Sequence, residues 1–423
     1  MQRIFWILPE GVKRNLSTLM WSVVHSTAHI TATVQPLFLT QEAKKYLRER
    51  FVILDDLFPH ILSGFRIAEY NAYMEHFNTH VYSTALSFRA INEKRGFSKI
   101  VREYEHYYPQ FRNRVSTFFR LENNFSSKLI YTIFLQNADR FINIAEIHNT
   151  PFVFTLYPGG GLFLNDNAVD KMLRRVCLSP SFRKVIVTQR ITQEYLLGKE
   201  FCPPEQIEFI YGGVLPSDRL VKKFGEKKYY QMNKSSFDIC FVANKYMKDG
   251  ADKGYDVFLK VAKKLSKAHR DIFFHVVGPY DENDIDVSDI MDRVKFYGMR
   301  HTDFFAEFYA GMDIILSPNA PFILRPGAFD GFPTGSCVEA GLCGVAVFCT
   351  DILDLNVAFK NNEEIVIIPR EVDEICAIVD KYYDDYNRLY ELAKQGQTTI
   401  SRVFDFETQM RPRLRILSEY MTK

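Results

Sequence analysis

The chain has 423 residues, 47% of them hydrophobic and 25% charged, with a formal net charge of +2. That length exceeds one ordinary core and calls for at least two domains, and near-neutrality argues against a whole-molecule field for nucleic acid. The seven cysteines contain no C-x-x-C pair, which argues against zinc ligation and fits a reducing, intracellular compartment.

Residues 1–48 read as an N-terminal extension of unknown role, with a strand at Arg3–Leu8 and a charged helix at Thr40–Arg50. Between them, Asn15–Thr40 has no Asp, Glu, Lys or Arg and is long enough to cross a bilayer. His25, His29, Gln35 and Pro36 make it a buried or interfacial element instead. An α/β repeat begins at the apolar run Phe51–Leu54. A loop ending at Gly64 follows, then a helix over Phe65–Phe77 and a strand over His80–Thr84. A glycine at such a loop-to-helix junction admits a ligand to the backbone amides, although most such glycines only make a turn.

Residues 89–128 hold nine Lys or Arg against four Glu, interleaved with Tyr107, Tyr108, Phe111, Phe118 and Phe119. A solvated helical face is the ordinary reading. The alternative is contact with an acidic acceptor or an anionic membrane surface. The repeat resumes with a strand over Leu129–Leu135, a helix over Ala138–His148 and a strand over Phe152–Leu156. That strand opens into Tyr157-Pro-Gly159-Gly160-Gly161, where α/β sheets place ligands, without the G-x-G-x-x-G spacing of dinucleotide sites. A strand at Lys184–Thr188, a helix at Gln193–Leu197 and a strand at Ile207–Tyr211 complete a first domain over 49–214.

Residues 215–236 are polar and basic and read as a linker. A second domain over 237–402 begins with a strand at Asp238–Ala243. The loop Asn244–Gly254 then leads into a helix over Tyr255–Ala268. Strands follow at Ile272–Gly278, Val294–Gly298 and Met312–Asn319, with a helix over Thr302–Ala310. After these come a Gly- and Pro-rich turn carrying Asp330, a helix starting near Ser336 and carrying Glu339, and a strand at Val345–Cys349. A strand at Glu364–Pro369 and a helix over Val372–Lys394 close the domain. Residues 403–423 form a last helix that can pack back on the first domain. The fold class is therefore α/β, two parallel-sheet domains facing a cleft.

Lys245 and Lys253 flank a loop that opens a helix, a setting suited to a diphosphate. Asp330 and Glu339 are acceptors suited to sugar hydroxyls, although carboxylates are by default solvated. A diphosphate with hydroxyl-rich groups on both sides describes a nucleotide sugar.

These residues carry a resemblance. Ala243-Asn-Lys, Lys253-Gly-Tyr-Asp, Tyr297-Gly298, Tyr309-Ala-Gly-Met-Asp-Ile-Ile-Leu-Ser-Pro and Asp330-Gly-Phe…Val-Glu339-Ala…Cys-Gly-Val-Ala-Val occur in the order and spacing of the family 4 glycosyltransferases. The resemblance implies the GT-B fold, two Rossmann-like domains, with the acceptor on the N-terminal side and the nucleotide sugar on the C-terminal side. It implies that Glu339 binds the ribose and Asp330 the donor sugar. The backbone from Gly331 through Phe332, Thr334, Gly335 and Ser336 lines that sugar and the phosphates. Lys253 meets the diphosphate, Tyr297-Gly298-Met299 touches the base, and Gly64 lies beside the phosphate. Three departures stand out. Asp330 and Glu339 have eight residues between them, where the family has two Glu with seven between. Asn244 occupies the position of the family's diphosphate arginine, so that the charge falls to Lys245. Tyr157 stands where relatives often have histidine, and a phenol can still donate a hydrogen bond.

The implied activity is transfer of a sugar, with retention of configuration, to a hydroxyl of a glycan, polysaccharide or glycolipid. Asp330, Lys253 and Tyr157 are its expected catalytic residues. Neither a metal nor another cofactor is expected, and no nucleic-acid partner. The expected location is the cytoplasm or the inner face of a membrane, with residues 89–128 as the contact. The alternatives are a non-catalytic GT-B-derived module that binds a nucleotide or glycan, and a different GT-B chemistry such as sugar-nucleotide epimerisation.

Overall fold

Short runs of apolar residues bounded by glycine and polar turns form strands buried on both faces, which is the signature of parallel sheets sandwiched between helices. The computed structural model describes residues 50–89, 91, 93–118, 127–216 and 226–421. The extension proposed for residues 1–48 lies outside them. The first sheet contains β1 (Phe51–Asp55), β2 (Thr79–Ser83), β3 (Val115–Thr117), β4 (Leu129–Ile133), β5 (Phe152–Leu156), β6 (Phe182–Val187) and β7 (Ile207–Phe209), ordered β3-β2-β1-β4-β5-β6-β7. The second contains β8 (Phe237–Val242), β9 (Ile272–Val277), β10 (Val294–Phe296), β11 (Ile314–Ser317), β12 (Ala346–Cys349) and β13 (Val366–Ile367), ordered β10-β9-β8-β11-β12-β13. Every strand pair is parallel. Strand order therefore reverses between β1 and β4 in one sheet and between β8 and β11 in the other. Crevices open at such switch points, outside the carboxyl ends of the strands.

Helices cover both sheets. In the first domain they are α1 (Gly64–His76), α2 (Phe97–Tyr107), α3 (Leu135–Ile147), α4 (Asn167–Cys177) and α5 (Arg190–Gly198). In the second they are α6 (Tyr255–Ala268), α7 (Thr302–Ala310), α8 (Gly335–Leu342), α9 (Val372–Asp384) and α10 (Tyr386–Val403). The start of α6 shows how sequence sets position. Gly254 adopts φ +76°, and a Cβ there would lie 2.0 Å from the Pro318 carbonyl oxygen. Only glycine lets α6 begin this close to the end of β11.

The last helix, α11 (Phe406–Met421), returns to the first domain. Its Met410, Ile416 and Leu417 share a buried cluster with Phe51, Tyr73 and Tyr131. The chain leaves the first domain at Pro216 and comes back through Phe404, whose ring sits on Gly212.

Three expectations change. β4 stops at Ile133 because Phe134 turns to φ +69°, which ends the strand two residues early. The single helix expected over 372–394 breaks at Asp385, whose carboxylate accepts the Arg388 amide at 3.1 Å and starts a second helix. Helix α4 and strand β3 appear where none was expected, while α2 falls within the run 89–128 that reads as a helical face. Within the basic run, Arg95 is bound by Glu93 and Glu103, so part of its charge is spent internally. Among the described residues no helix is long and apolar enough to cross a membrane.

Candidate active site

The two switch points face each other across a cavity of about 490 Å³. Gly64, Phe65, Phe134 and Tyr157 line it from the first domain, and Asn244, Lys253, Met299, Arg300, Asp330 and Glu339 from the second. At one side the domains touch. The Leu164 amide donates to the Gly327 carbonyl at 2.9 Å, and Arg325 pairs with Asp166 at 2.7 Å.

The wall from the second domain carries the ionisable groups. Lys253 Nζ lies 2.6 Å from both oxygens of Asp330, and Asn319 Nδ2 donates to that carboxylate at 3.0 Å. Burial alone would pull the Lys253 ammonium down, but the facing carboxylate outweighs it and holds the pKa above the ordinary lysine value. The next group is of the opposite kind. The side chain of Glu339, on α8, makes no hydrogen bond or ion pair with any described residue, and burial with no compensating partner pushes its carboxyl up to about 7. A half-buried acid without a protein partner, opening on a cavity, is a group kept for a ligand. The α8 N-terminus is also open. Thr334 at its N-cap makes no side-chain cap, and Thr334, Gly335 and Ser336 line the cavity. Its first-turn amides thus have no intrahelical acceptor and suit an anion.

The wall from the first domain is built differently. Asp55 accepts the Leu57 and Phe58 amides at 2.7 and 2.6 Å, the Tyr70 hydroxyl at 2.8 Å and Arg66 Nε at 3.2 Å. Arg66 also reaches Asp56 and Ser63. This fully hydrogen-bonded knot fixes the loop before Gly64. Behind it, Glu69 is fully buried and accepts the hydroxyls of Tyr73 at 3.0 Å, Tyr157 at 2.9 Å, and Tyr131. The balancing charge is Arg413 of α11, also fully buried.

Most of the residues singled out from the sequence meet at this cavity: Gly64, Tyr157, Asn244, Lys253, Met299, Asp330, Gly331, Thr334, Gly335, Ser336 and Glu339 all line it. Four do not. Lys245 turns away and is held by Asp284 at 2.7 and 2.8 Å, because a carboxylate 39 residues on captures the charge. Tyr297 directs its hydroxyl to His275 Nδ1 at 2.9 Å and packs on Phe304 and Phe308. Gly298 uses its carbonyl to accept the Gly278 amide at 3.1 Å. Phe332 is buried behind the cavity, with its amide on Gln189. Tyr157 is corrected in its chemistry. Its ring lines the cavity, but its hydroxyl is committed to Glu69, and burial first and then that carboxylate raise its pKa.

The triple glycine also has a different use. Gly160 and Gly161 have positive φ, and a Cβ on them would collide with the Phe134 ring at 2.2 Å and the Gln136 side chain at 2.3 Å. They seat these side chains. Asn319, Arg300, Phe65 and Phe134 were not anticipated. The signal for Asn319 and Phe134 was their place just after β11 and β4, the strands at the switch points.

With the geometry in place, comparison with known proteins is informative. Residues 236–385 match the family model for glycosyl transferases group 1. Anabaena HepE in complex with UDP and glucose superposes with a TM-score of 0.62 at 16% identity, over 87% of this chain and 99% of that one. The fold is GT-B. Sucrose-phosphate synthase from Thermosynechococcus elongatus has the same arrangement, with a TM-score of 0.62 and 13% identity over 89% of this chain and 100% of its own. So does the E. coli trehalose-6-phosphate structure bound with UDP-2-fluoro glucose, with a TM-score of 0.55 and 11% identity over 88% and 99%. No curated protein sequence matches the chain. In GT-B terms, the matched region is the C-terminal domain, which carries Lys253, Asp330 and Glu339.

Proposed function

We propose that this chain is a retaining glycosyltransferase that moves a sugar from a nucleotide sugar to a hydroxyl of a glycan, polysaccharide or glycolipid, in the cytoplasm or at the inner face of a membrane. The observation that carries the reading is Glu339, an acid without a protein partner, on a helix whose N-terminus opens on the same cavity. Its carboxylate accepts the ribose hydroxyls. The α8 amides and Lys253 take the diphosphate, and Asp330, oriented by Asn319, accepts hydroxyls of the donor sugar. Neighbours solved with UDP-glucose and UDP-2-fluoro glucose support a nucleotide-sugar donor.

In this reading the bond from the anomeric carbon to the diphosphate breaks while the acceptor oxygen attacks from the same face, and the acceptor's hydroxyl proton passes to the departing diphosphate oxygen. Lys253 and the helix amides stabilise the leaving charge, the largest contribution such a site can make. Contact between the domains at Leu164 and Arg325 limits the access of water, the competing acceptor. The diphosphate is met by protein groups, so a chelator is expected to leave transfer unchanged.

Incubation with a panel of nucleotide sugars, following nucleoside diphosphate release, tests the reading. Asp330→Asn is expected to cut transfer on the order of a hundredfold while sparing UDP affinity. Equal loss of UDP affinity in Asp330→Asn and Glu339→Ala would refute this division of roles. A second reading is favoured by the Lys253–Asp330 ion pair and the tied Tyr157 hydroxyl: a module that binds the nucleotide without transferring sugar. UDP binding with no donor turned over selects it.

A further inference from the structure

A diphosphate brings concentrated negative charge into the cavity, and little in the wall it meets is set to balance it. The charged side chains among the described lining residues are Lys253, Arg300, Asp330 and, once it releases its proton, Glu339. Lys253 already lies 2.6 Å from both oxygens of Asp330. Asn244 is neutral, and Lys245 beside it is held by Asp284 at 2.7 and 2.8 Å. Arg300 is therefore the one lining cation, among the described residues, that no carboxylate neutralises. Without it the lining carboxylates outnumber the cations, and like charge repels the ligand.

The backbone places Arg300 between two edges of the cavity. Just before it, the Gly298 carbonyl accepts the Gly278 amide at 3.1 Å. Gly278 in turn packs so tightly on β8 that a Cβ there would lie 2.0 Å from the Ala243 carbonyl oxygen. The residues after β10 are thus brought alongside the end of β8, where Asn244 lines the cavity. Just after Arg300, the Thr302 hydroxyl lies 3.6 Å from where a Cβ on Gly64 would stand. Gly64 opens α1, and Ser63 before it makes no side-chain cap, since its hydroxyl accepts Arg66 Nη1 at 3.1 Å. Arg300 is bracketed by the end of β8 and the open start of α1. Its guanidinium is exposed and stacks on Phe304 at 5.2 Å. Phe304 itself packs on Tyr297, whose hydroxyl is held by His275. Stacking of this kind fixes the plane of a guanidinium and leaves its N–H donors for a ligand.

We propose that Arg300 is a donor-binding residue, whose guanidinium meets the diphosphate from the β10 side and supplies the charge that Lys245 does not bring to the cavity. That the diphosphate belongs to a sugar donor rests on the glycosyltransferase reading; that it binds at Arg300 does not. A planar guanidinium pairs with two phosphate oxygens at once, so it orients the group as well as neutralising it. Arg300 forms no ion pair with Asp330, so it adds charge without competing for the carboxylate that Lys253 faces.

Calorimetry on the whole protein tests the proposal without requiring turnover. The probes are UDP, GDP and ADP and, for the one that binds most tightly, the matching monophosphate and nucleoside. Arg300→Met keeps the apolar stem and removes the charge. It is expected to weaken the diphosphate about tenfold to a hundredfold, the monophosphate less, and the nucleoside not at all. Arg300→Lys should recover most of the loss. Lys245→Met should cost clearly less than Arg300→Met, because Asp284 already holds that charge away from the cavity. Circular dichroism melting confirms that each variant is folded. Unchanged diphosphate affinity in folded Arg300→Met, an equal loss with the nucleoside, a loss in Lys245→Met as large as in Arg300→Met, or no binding of any diphosphate would each overturn the proposal. Turnover of nucleotide sugars is read separately. Diphosphate binding that depends on Arg300, with no donor turned over, refutes the glycosyltransferase reading and leaves the Arg300 contact standing.

Discussion

The two walls of the cleft grow from sheets with closely related strand order, yet they treat charge in opposite ways. The first domain turns its ionisable groups inward. Asp55, Glu69 and Arg413 are fully buried and Arg66 nearly so; Asp55, Glu69 and Arg66 are hydrogen-bonded within the fold, and Arg413 bonds through Nη1 to Gln409 while its Nε and Nη2 have no hydrogen-bond partner among the described residues. The second domain leaves a carboxyl, Glu339, without a protein partner and exposes a Lys–Asp pair to the cavity. The same topology thus yields a rigid, uncharged face and a face that awaits compensation. The difference shows that the switch point locates a site, while local pairing decides what chemistry the site holds.

The largest effect should come from breaking the inward-facing charges. Arg413→Ala leaves Glu69 buried and uncompensated, and is expected to cost about 3–5 kcal/mol in denaturant unfolding. A loss below about 1 kcal/mol would mean that Arg413 does not balance Glu69. The opposite face should behave in the reverse manner. Glu339→Ala removes no internal bond, so stability should hold while UDP affinity in calorimetry falls roughly tenfold to a hundredfold. Wild-type stability with lost affinity is the result that separates the two walls most cleanly.

The smallest effect is a pH dependence. Glu339 binds as a carboxylate and titrates near 7 in the free protein. UDP affinity should therefore rise with pH through that value, and each unit below it should cost up to about tenfold. Glu339→Gln removes this component and leaves only the titration of the phosphate. The stability of the free protein runs the other way. The folded state holds this proton more tightly than the unfolded chain, so this group's contribution falls between about 4.5 and about 7.

Much of the fold was legible because its strands are apolar throughout and its turns are marked by glycine. Helix α6 was readable to the residue, with Gly254 before it and the polar His269 after it. Helix α4 was missed although Asp166 caps it and Val169, Leu173 and Val176 repeat at helical spacing. That signal was present and unused. The site was legible where the backbone makes it, from Gly331 to Glu339. It was not legible where a distant partner decides. Lys245 and Lys253 look alike locally, and Asp284 and Asp330 determine which one faces the cavity. Glu69 and Arg413 lie at opposite ends of the chain, and charged residues read as solvated until the fold brings them together.

The return of α11 has a mechanical consequence. The polypeptide crosses between the halves twice, at Pro216 and at Phe404, and the second crossing rests on Gly212 beside the first. The return through Phe404 lies against the loop at Gly212 that leads the chain out of the first domain, so the halves are tied at two places in the sequence rather than one. A chain cut before Phe404 would take Met410, Ile416 and Leu417 out of the first domain's buried cluster, so the halves share stability as well as a cleft.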